Sequence, residues 1–452
     1  MKTIIITIFS FFSFTVLFSQ EQPATSYTLE EAIAFALQNN YKVINAIRDQ
    51  DDAQKQKWQT IASGLPQISG DISYQNQLKQ PVNQFPSIII PPEFLPDGVV
   101  PGPDTFVPIV FGQAQQARAT ATVRQQIFDG SYIVGVQAIK SFISYSANNK
   151  EKTDLEVRKA VIQAYGNVLL AEASIALAEK NKANLEKNLF EAQKVFENGL
   201  GDEESVEQLQ ITLSNVESQL KNAKRLKGIT VQILNLTMGI AINSPTTLTE
   251  DLDALAQRQI DPTIVATEFN IKNNVDYKLA TNLNEQRYFE LKLEKSRALP
   301  TLNAYVNYGA FAFSDRFDFG SQEWFQASTL GFDLNIPIFS SLRRSASTKR
   351  AKIALEKAKT QLSEAEEQIR LQLEQAKSNY ILSIEQYETN KKNLALAERI
   401  EKKNQIKYEE GIASSFELRQ AQLQLYDAQN IYLQSMVTVI NNKAALETIL
   451  NE

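Results

Sequence analysis

Apolar and polar residues alternate along this chain with two periods, and each change of period marks an element. Val161, Ala164, Val168, Ala171, Ile175 and Ala178, then Leu185, Leu189, Ala192 and Phe196, recur at alternating spacings of three and four. This heptad predicts a single helix from about Ser131 to Glu197 that packs as a coiled coil. At about 1.5 Å per residue it is roughly 100 Å long. Lys182 interrupts the seam, and Asn198-Gly199 supplies a left-handed stop. A return helix from about Glu203 carries Val206, Leu209, Leu213, Val216, Leu220 and Ala223. The same pattern returns from about Ser341 to Glu410, with Leu355, Ala358, Leu362, Ala365, Ile369, Leu373, Ala376, Tyr380 and Ile384 as seam. Gly411 ends it, and a last helix carries Leu418, Ala421, Leu425, Ala428 and Tyr432.

Upstream of each long helix the period falls to two. Ile68, Gly70, Ile72 and Tyr74 alternate with Ser69, Asp71, Ser73 and Gln75. Ala117, Ala119, Ala121 and Val123 alternate with Arg118, Thr120, Thr122 and Arg124. Later, Leu302, Ala304, Val306 and Tyr308 form one run, and Leu330, Phe332, Leu334, Ile336 and Ile338 another. Four strands follow, each apolar on one face and polar on the other. Shorter helices precede them: Ser26 to Asn40, with Thr28 and Glu31 at capping-box spacing, Val43 to Ser63, Pro262 to Asn273, and Val275 to Arg297.

The chain is therefore a duplication. Leu65-Pro66 returns as Leu299-Pro300 and Asn39-Asn40 as Asn273-Asn274, both 234 residues on. Gln126-Ile127-Phe128 returns as Pro337-Ile338-Phe339, and Gly199-Leu200 as Gly411-Ile412, 212 residues on. The expected organisation is a signal peptide over 1–20, a first repeat over 21–240, a linker over 241–261 and a second repeat over 262–452. Residues 81–112 hold eight prolines, which predicts a long irregular loop without helix or central strand. Its apolar Ile88-Ile89-Ile90 and Val107 to Phe111 suggest a plug against the neighbouring strands.

Lys2 and the apolar run from Ile4 to Phe18 read as a secretory signal, with cleavage near Ser19 or Gln20. A membrane anchor is the alternative, although the run is short for a span of about 20 residues. No later stretch reads as a transmembrane helix, so a membrane crossing must use strands. Strands of this length suit a tilted bilayer crossing, which needs about 9 to 11 residues. An open sheet edge in lipid leaves backbone groups unpaired at several kcal/mol each, and four strands are too few to close. Two chains would give eight strands with a filled lumen, whereas three give twelve with an opening. The Ala-rich seams and charged remaining surface suit the staves of a hollow cylinder, since a filled bundle demands a wider apolar stripe.

Composition narrows the chemistry. The chain has no Cys and no His, which removes disulfides, the usual zinc sites and His-dependent acid–base catalysis. No enzyme, cofactor or metal is expected. The net charge of −6 carries no basic block, so nucleic acid is not an expected partner.

Taken together, the twin repeat, the Leu-Pro starts of the strands, and the turns Phe196-Glu197-Asn198-Gly199-Leu200 and Tyr408-Glu409-Glu410-Gly411-Ile412 resemble the TolC-type outer membrane efflux proteins. The resemblance implies a mainly α fold with a membrane β-barrel part. In that arrangement a homotrimer joins a 12-stranded barrel in outer-membrane lipid to an α-helical barrel in the periplasm. It implies a periplasmic adaptor and an inner-membrane pump as partners. It puts Gly199, Leu200, Gly411 and Ile412 at adaptor contacts, with plain helix termination as the alternative. It puts Glu417 at a constricting acidic ring, Gln420 where a second acid is usual, and Tyr408 at an aromatic that holds the tip closed. A solvated first-turn carboxylate is the alternative for Glu417. Ser205 stands where some relatives carry an acid, and Ala413 where a basic residue is common, so the closing network is wired differently here. A periplasmic adaptor and a poreless coiled-coil stalk are the rival readings.

Overall fold

The computed structural model describes residues 26–110 and 112–451; the expected signal segment lies outside them. In chain order the first half runs β1 (Ser26–Tyr27), α1 (Leu29–Asn39), α2 (Tyr41–Ala62), β2 (Gln67–Asn76), β3 (Val82–Pro86), β4 (Phe106–Val110), β5 (Gln115–Asp129), α3 (Gly130–Glu197) and α4 (Glu203–Met238). Then follow β6 (Thr247–Leu248), α5 (Leu252–Arg258), α6 (Val275–Ser296), β7 (Thr301–Ser314), β8 (Phe325–Asn335), α7 (Arg343–Glu409) and α8 (Ser415–Leu450). The duplication extends to backbone detail. Asn40 sits at φ −63°, ψ 134° and Asn274 at φ −64°, ψ 132°. Each side chain accepts the N–H two residues on, from Lys42 at 2.7 Å and Asp276 at 3.0 Å.

Two compact units divide the chain, and each draws on both halves. One comprises the N-terminal segment through Ile44 with Asp154–Phe269 and Leu373–Glu452. Its core gathers Val161, Tyr165, Val168, Leu234, Met238, Leu255, Tyr380, Val439 and Ile440, all nearly inaccessible to solvent. The Thr28–Glu31 capping box opens α1 as its spacing predicts. Residues 241–261 are more than a linker: β6 pairs in parallel with β1 and α5 buries Leu252, Leu255 and Ala256. Tyr380 Oη donates to the carbonyl of Gln259 at 2.7 Å and accepts the N–H of Asp261 at 2.9 Å, pinning this segment to α7.

Two expectations in this region change. The helix expected over 262–273 is two 3₁₀ turns, Pro262–Ala266 and Ile271–Asn273. The β-branched run Thr263-Ile264-Val265 resists a regular helix, and the Asp261 and Asn270 side chains cap short turns instead. Contrary to the expectation of no further span, α3 does hold an 18-residue window of mean hydropathy 1.4. Its seam and its core-facing flank are both apolar, and Val161, Tyr165, Val168 and Leu169 are buried in protein.

The second unit, Asn45–Thr153 with Asn270–Gln372, holds an antiparallel sheet in the order β2-β5-β7-β8. On one face Ile68, Val123, Val306 and Leu330 form an apolar row across all four strands, and Ser328 and Gln326 interrupt that face further along β8. Ser69, Thr122, Asn307 and Thr329 form the neighbouring row on the polar face. β2 and β8 are open edges, and Ile72 on the apolar face is 88% exposed. β8 stops at Asn335, short of the expected Ile338, where its ladder with β7 runs out.

The Pro-rich segment is more regular than the irregular loop expected. β3 and β4 form a two-stranded ribbon, Val82↔Val110 to Pro86↔Phe106, bracketing 3₁₀ turns at Ser87–Ile89 and Pro92–Phe94. Buried Ser87 closes it by donating to the carbonyl of Gly102 at 3.1 Å and accepting that residue's N–H at 2.9 Å. The prolines exclude a broad sheet but leave a short isolated ladder open.

Candidate functional site: the two interhelical turns

Both turns fold as the same helix stop. Gly199 and Gly411 have φ of +73° and +71°, the left-handed region that costs a side-chain-bearing residue about 1–2 kcal/mol. The N–H of Gly199 bonds the carbonyl of Phe196 at 2.8 Å, and that of Leu200 bonds Val195 at 3.1 Å. In the second turn Gly411 bonds Tyr408 at 3.0 Å, and Ile412 bonds Lys407 at 2.8 Å. These are paired Schellman motifs, which favour an apolar residue just after the glycine. Plain helix termination thus accounts for part of the Gly-Leu and Gly-Ile pairs. It does not account for their exposure, since Leu200 is 83% and Ile412 76% accessible.

Each turn feeds a capped helix. Asp202 accepts the N–H of Ser205 at 2.6 Å, and bonding to Ser205 holds its carboxyl below the usual range. Ser414 caps α8 through a capping box: Glu417 N–H donates to Ser414 Oγ at 3.3 Å, and Glu417 Oε2 accepts the N–H of Ser414 at 2.9 Å. The two turns are tied together by Ser205 and Ser415, whose hydroxyls lie 2.8 Å apart. Between them lies a groove of ≈ 530 Å³ whose walls include Glu191, Val195, Leu200, Ser205, Tyr408 and Ala413. Burial pushes the Tyr408 phenol up, and the carboxylates of Asp202 and Glu191 add to the shift. Gln420 is exposed one turn further into α8.

The structure therefore gathers Gly199, Leu200, Tyr408, Gly411, Ile412 and Glu417 at one place, with Gln420 exposed one turn further along α8. Sequence reasoning missed the Ser205–Ser415 link and the polar layers behind it. Buried Asn181 donates to buried Gln429 Oε1 at 3.0 Å. Asn188, Thr212 and Gln422 are buried two turns nearer the tip, and Gln422 Oε1 finds no hydrogen-bond partner among the described residues. None of these residues falls on the seams read from the sequence, so periodicity gave no signal for them.

With this geometry in hand, comparison with known proteins is decisive. The model of the outer membrane efflux protein family matches residues 32–239 and 280–452. The chain belongs to the outer membrane efflux protein family. No curated protein sequence matches it. Solved structures share its fold. VceC of Vibrio cholerae is 16% identical at TM-score 0.70, covering 94% of this chain and 96% of its own. CmeC of Campylobacter jejuni is 17% identical at TM-score 0.72, covering 94% and 85%. The open-state MtrE channel of Neisseria gonorrhoeae is 15% identical at TM-score 0.71, covering 94% and 88%. This efflux protein is thus a transport protein of the outer membrane rather than an enzyme. Family membership sets aside the adaptor and stalk readings.

Proposed function

We propose that this efflux protein is the exit duct of an envelope-spanning pump assembly. Three copies pool their four-stranded sheets into one twelve-stranded barrel, whose polar face lines the lumen. The observation that carries this reading is the sheet with two open edges and one largely apolar face. Lipid tolerates neither edge unless each pairs with another chain, and three sheets leave a passage where two would be filled. The repeats over 21–240 and 262–452 then supply alternating staves of the periplasmic helical barrel.

An inner-membrane pump supplies the energy, and a periplasmic adaptor docks on the turns. Exposed Leu200 and Ile412, each presented by a rigid Schellman stop, are the contacts assigned to it. Glu417, together with Tyr408 and near Gln420, constricts the tip. Adaptor binding opens it by shifting the coiled-coil packing of the tip helices. The test is purification in detergent followed by planar-bilayer recording. A trimeric mass with discrete conductance is expected. A monomeric mass, or a trimer without conductance, overturns the proposal.

A further inference from the structure

The loop joining β7 to β8, residues 315–324, is aromatic, and it folds back over the sheet. The register places Tyr74, Ala117 and Ala312 in one row of the apolar face. Ala310 pairs with Gln326, so alternation carries Trp324 to the same face, level with Ala312. Two alanines therefore stand between an aromatic residue at either edge. Phe317 and Phe319 of the loop meet the Tyr74 ring edge-on, at centroid distances of 5.4 and 5.8 Å, and meet each other at 5.7 Å. To touch Tyr74 on β2 from the end of β7, the loop has to pass β5. Ala312 is left with no solvent exposure, whereas Ile72, one row further in, is 88% exposed. On the polar face at this level Arg118 stays exposed, so the loop turns outward, away from the lumen.

Its shape is held by its own hydrogen bonds. Asp318 accepts from the Ser314 hydroxyl and, at 2.9 Å, from Gln322 Nε2. Asp315 accepts the N–H of Ala114 at 3.1 Å, tying the loop to the start of β5. Trp324 Nε1 donates to the carbonyl of Phe319 at 3.1 Å, and Tyr74 Oη to Gln115 Oε1 at 3.2 Å. The polar atoms of both rings are thus satisfied at the outer strand ends, while Phe317 remains 78% exposed. Amphipathic rings set this way suit a boundary that is wet on one side and apolar on the other.

The height of the sheet agrees. At the opposite end of the apolar face Phe128 opposes Leu302. From Leu302 to Ala312 run ten residues of β7 (312 − 302). At about 3.4 Å per residue and a tilt of about 40° they climb roughly 26 Å, close to the ~25 Å apolar band of outer-membrane barrels.

We propose that the β7–β8 loop is a membrane-surface anchor: Phe317 and Phe319, laid between Tyr74 and Trp324, complete an aromatic belt that seats at the boundary between acyl chains and headgroups and fixes the depth of the sheet. The occupant of this surface is lipid, because the rings continue the apolar face rather than cover the lumen. Without them the row would present alanines there, whose small side chains favour neither side of the boundary strongly.

This inference rests on the barrel reading above, and its test separates the two. The chain has two tryptophans, Trp58 and Trp324, so Trp58→Phe leaves one reporter in the belt. A second variant, Phe317→Trp in a chain also carrying Trp58→Phe and Trp324→Phe, puts the reporter on the loop's most exposed ring. Each full-length protein is reconstituted into phosphatidylcholine vesicles brominated either in the upper part of the acyl chain or near its end. Both reporters are expected to lose most of their emission to the shallow label and little to the deep one. Where the two differ, the reporter at position 317 decides. Deep quenching equal to or stronger than shallow overturns the anchor. No quenching of either reporter, in vesicles that still conduct, means that the loop faces water or another protein; it overturns the anchor and spares the duct. Absence of both quenching and conductance overturns both readings.

Discussion

Glu417 shows how two roles can sit on one residue. Its carboxylate closes the cap of α8, and under the proposed function three copies crowd at the constriction. Glutamine also serves at that position of a capping box, so Glu417→Gln removes the charge and keeps the cap. Helix stability should change by no more than about 0.5 kcal/mol, while cation selectivity and divalent block should fall in single-channel recordings. Unchanged selectivity would reject the acidic ring. Glu401 on α7 is the opposite case: burial holds its carboxyl above the usual range. The folded state then binds that proton more tightly than the unfolded one, so stability rises as pH falls through the raised value. Glu401→Gln should therefore raise the Tm at neutral pH, with the advantage fading toward the ordinary glutamate value of about 4.3. Parallel pH profiles for variant and parent would sink the idea. The glycine stops of this site were legible in the sequence because each is dictated by its own few residues, whereas the Asp202 and Ser414 caps emerged only in the structure. The Ser205–Ser415 bond was not, because it depends on how two turns 210 residues apart are brought together.

The helices were read from their seams to within a few residues, because a heptad repeated over many turns leaves little choice of face. What the seam hid was its polar rungs. Asn181 and Gln429 bond each other between α3 and α8, and on either helix alone they look like ordinary solvent-facing amides. Their burial makes a sharp prediction in a denaturant series. Asn181→Ala strands the Gln429 amide and should cost about 1–3 kcal/mol. The double replacement of Asn181 and Gln429 by Leu should recover most of that loss or exceed the parent. A double-mutant cycle with no coupling would show that the rung contributes nothing. Its role would be register, since a buried amide pair penalises sliding of α8 along α3. Strand ends were less legible. Alternation carries β8 on to Ile338, whereas the chain's own ladder ends at Asn335, because β7 begins at Thr301 and offers no partner beyond it.

At the scale of the whole molecule, the decisive inference needed only counting: four amphipathic strands, and a solvent that forbids loose edges. The ribbon at 82–110 escaped that reasoning because proline density reports what a segment cannot be more firmly than what it is. The bare edges also set a kinetic problem. A newly exported copy travels with Ile68 and Ile72 on β2 left uncovered by the described residues, so maturation is a race between kin recognition and proteolysis or aggregation. Encounter of three copies makes the yield rise more steeply than synthesis at low expression, approaching the third power, and flatten once every copy meets two others. Pulse-labelled cells with graded induction should show this upward curvature in heat-resistant oligomer. A strictly proportional yield would mean that a folding helper shelters the edges of each lone copy.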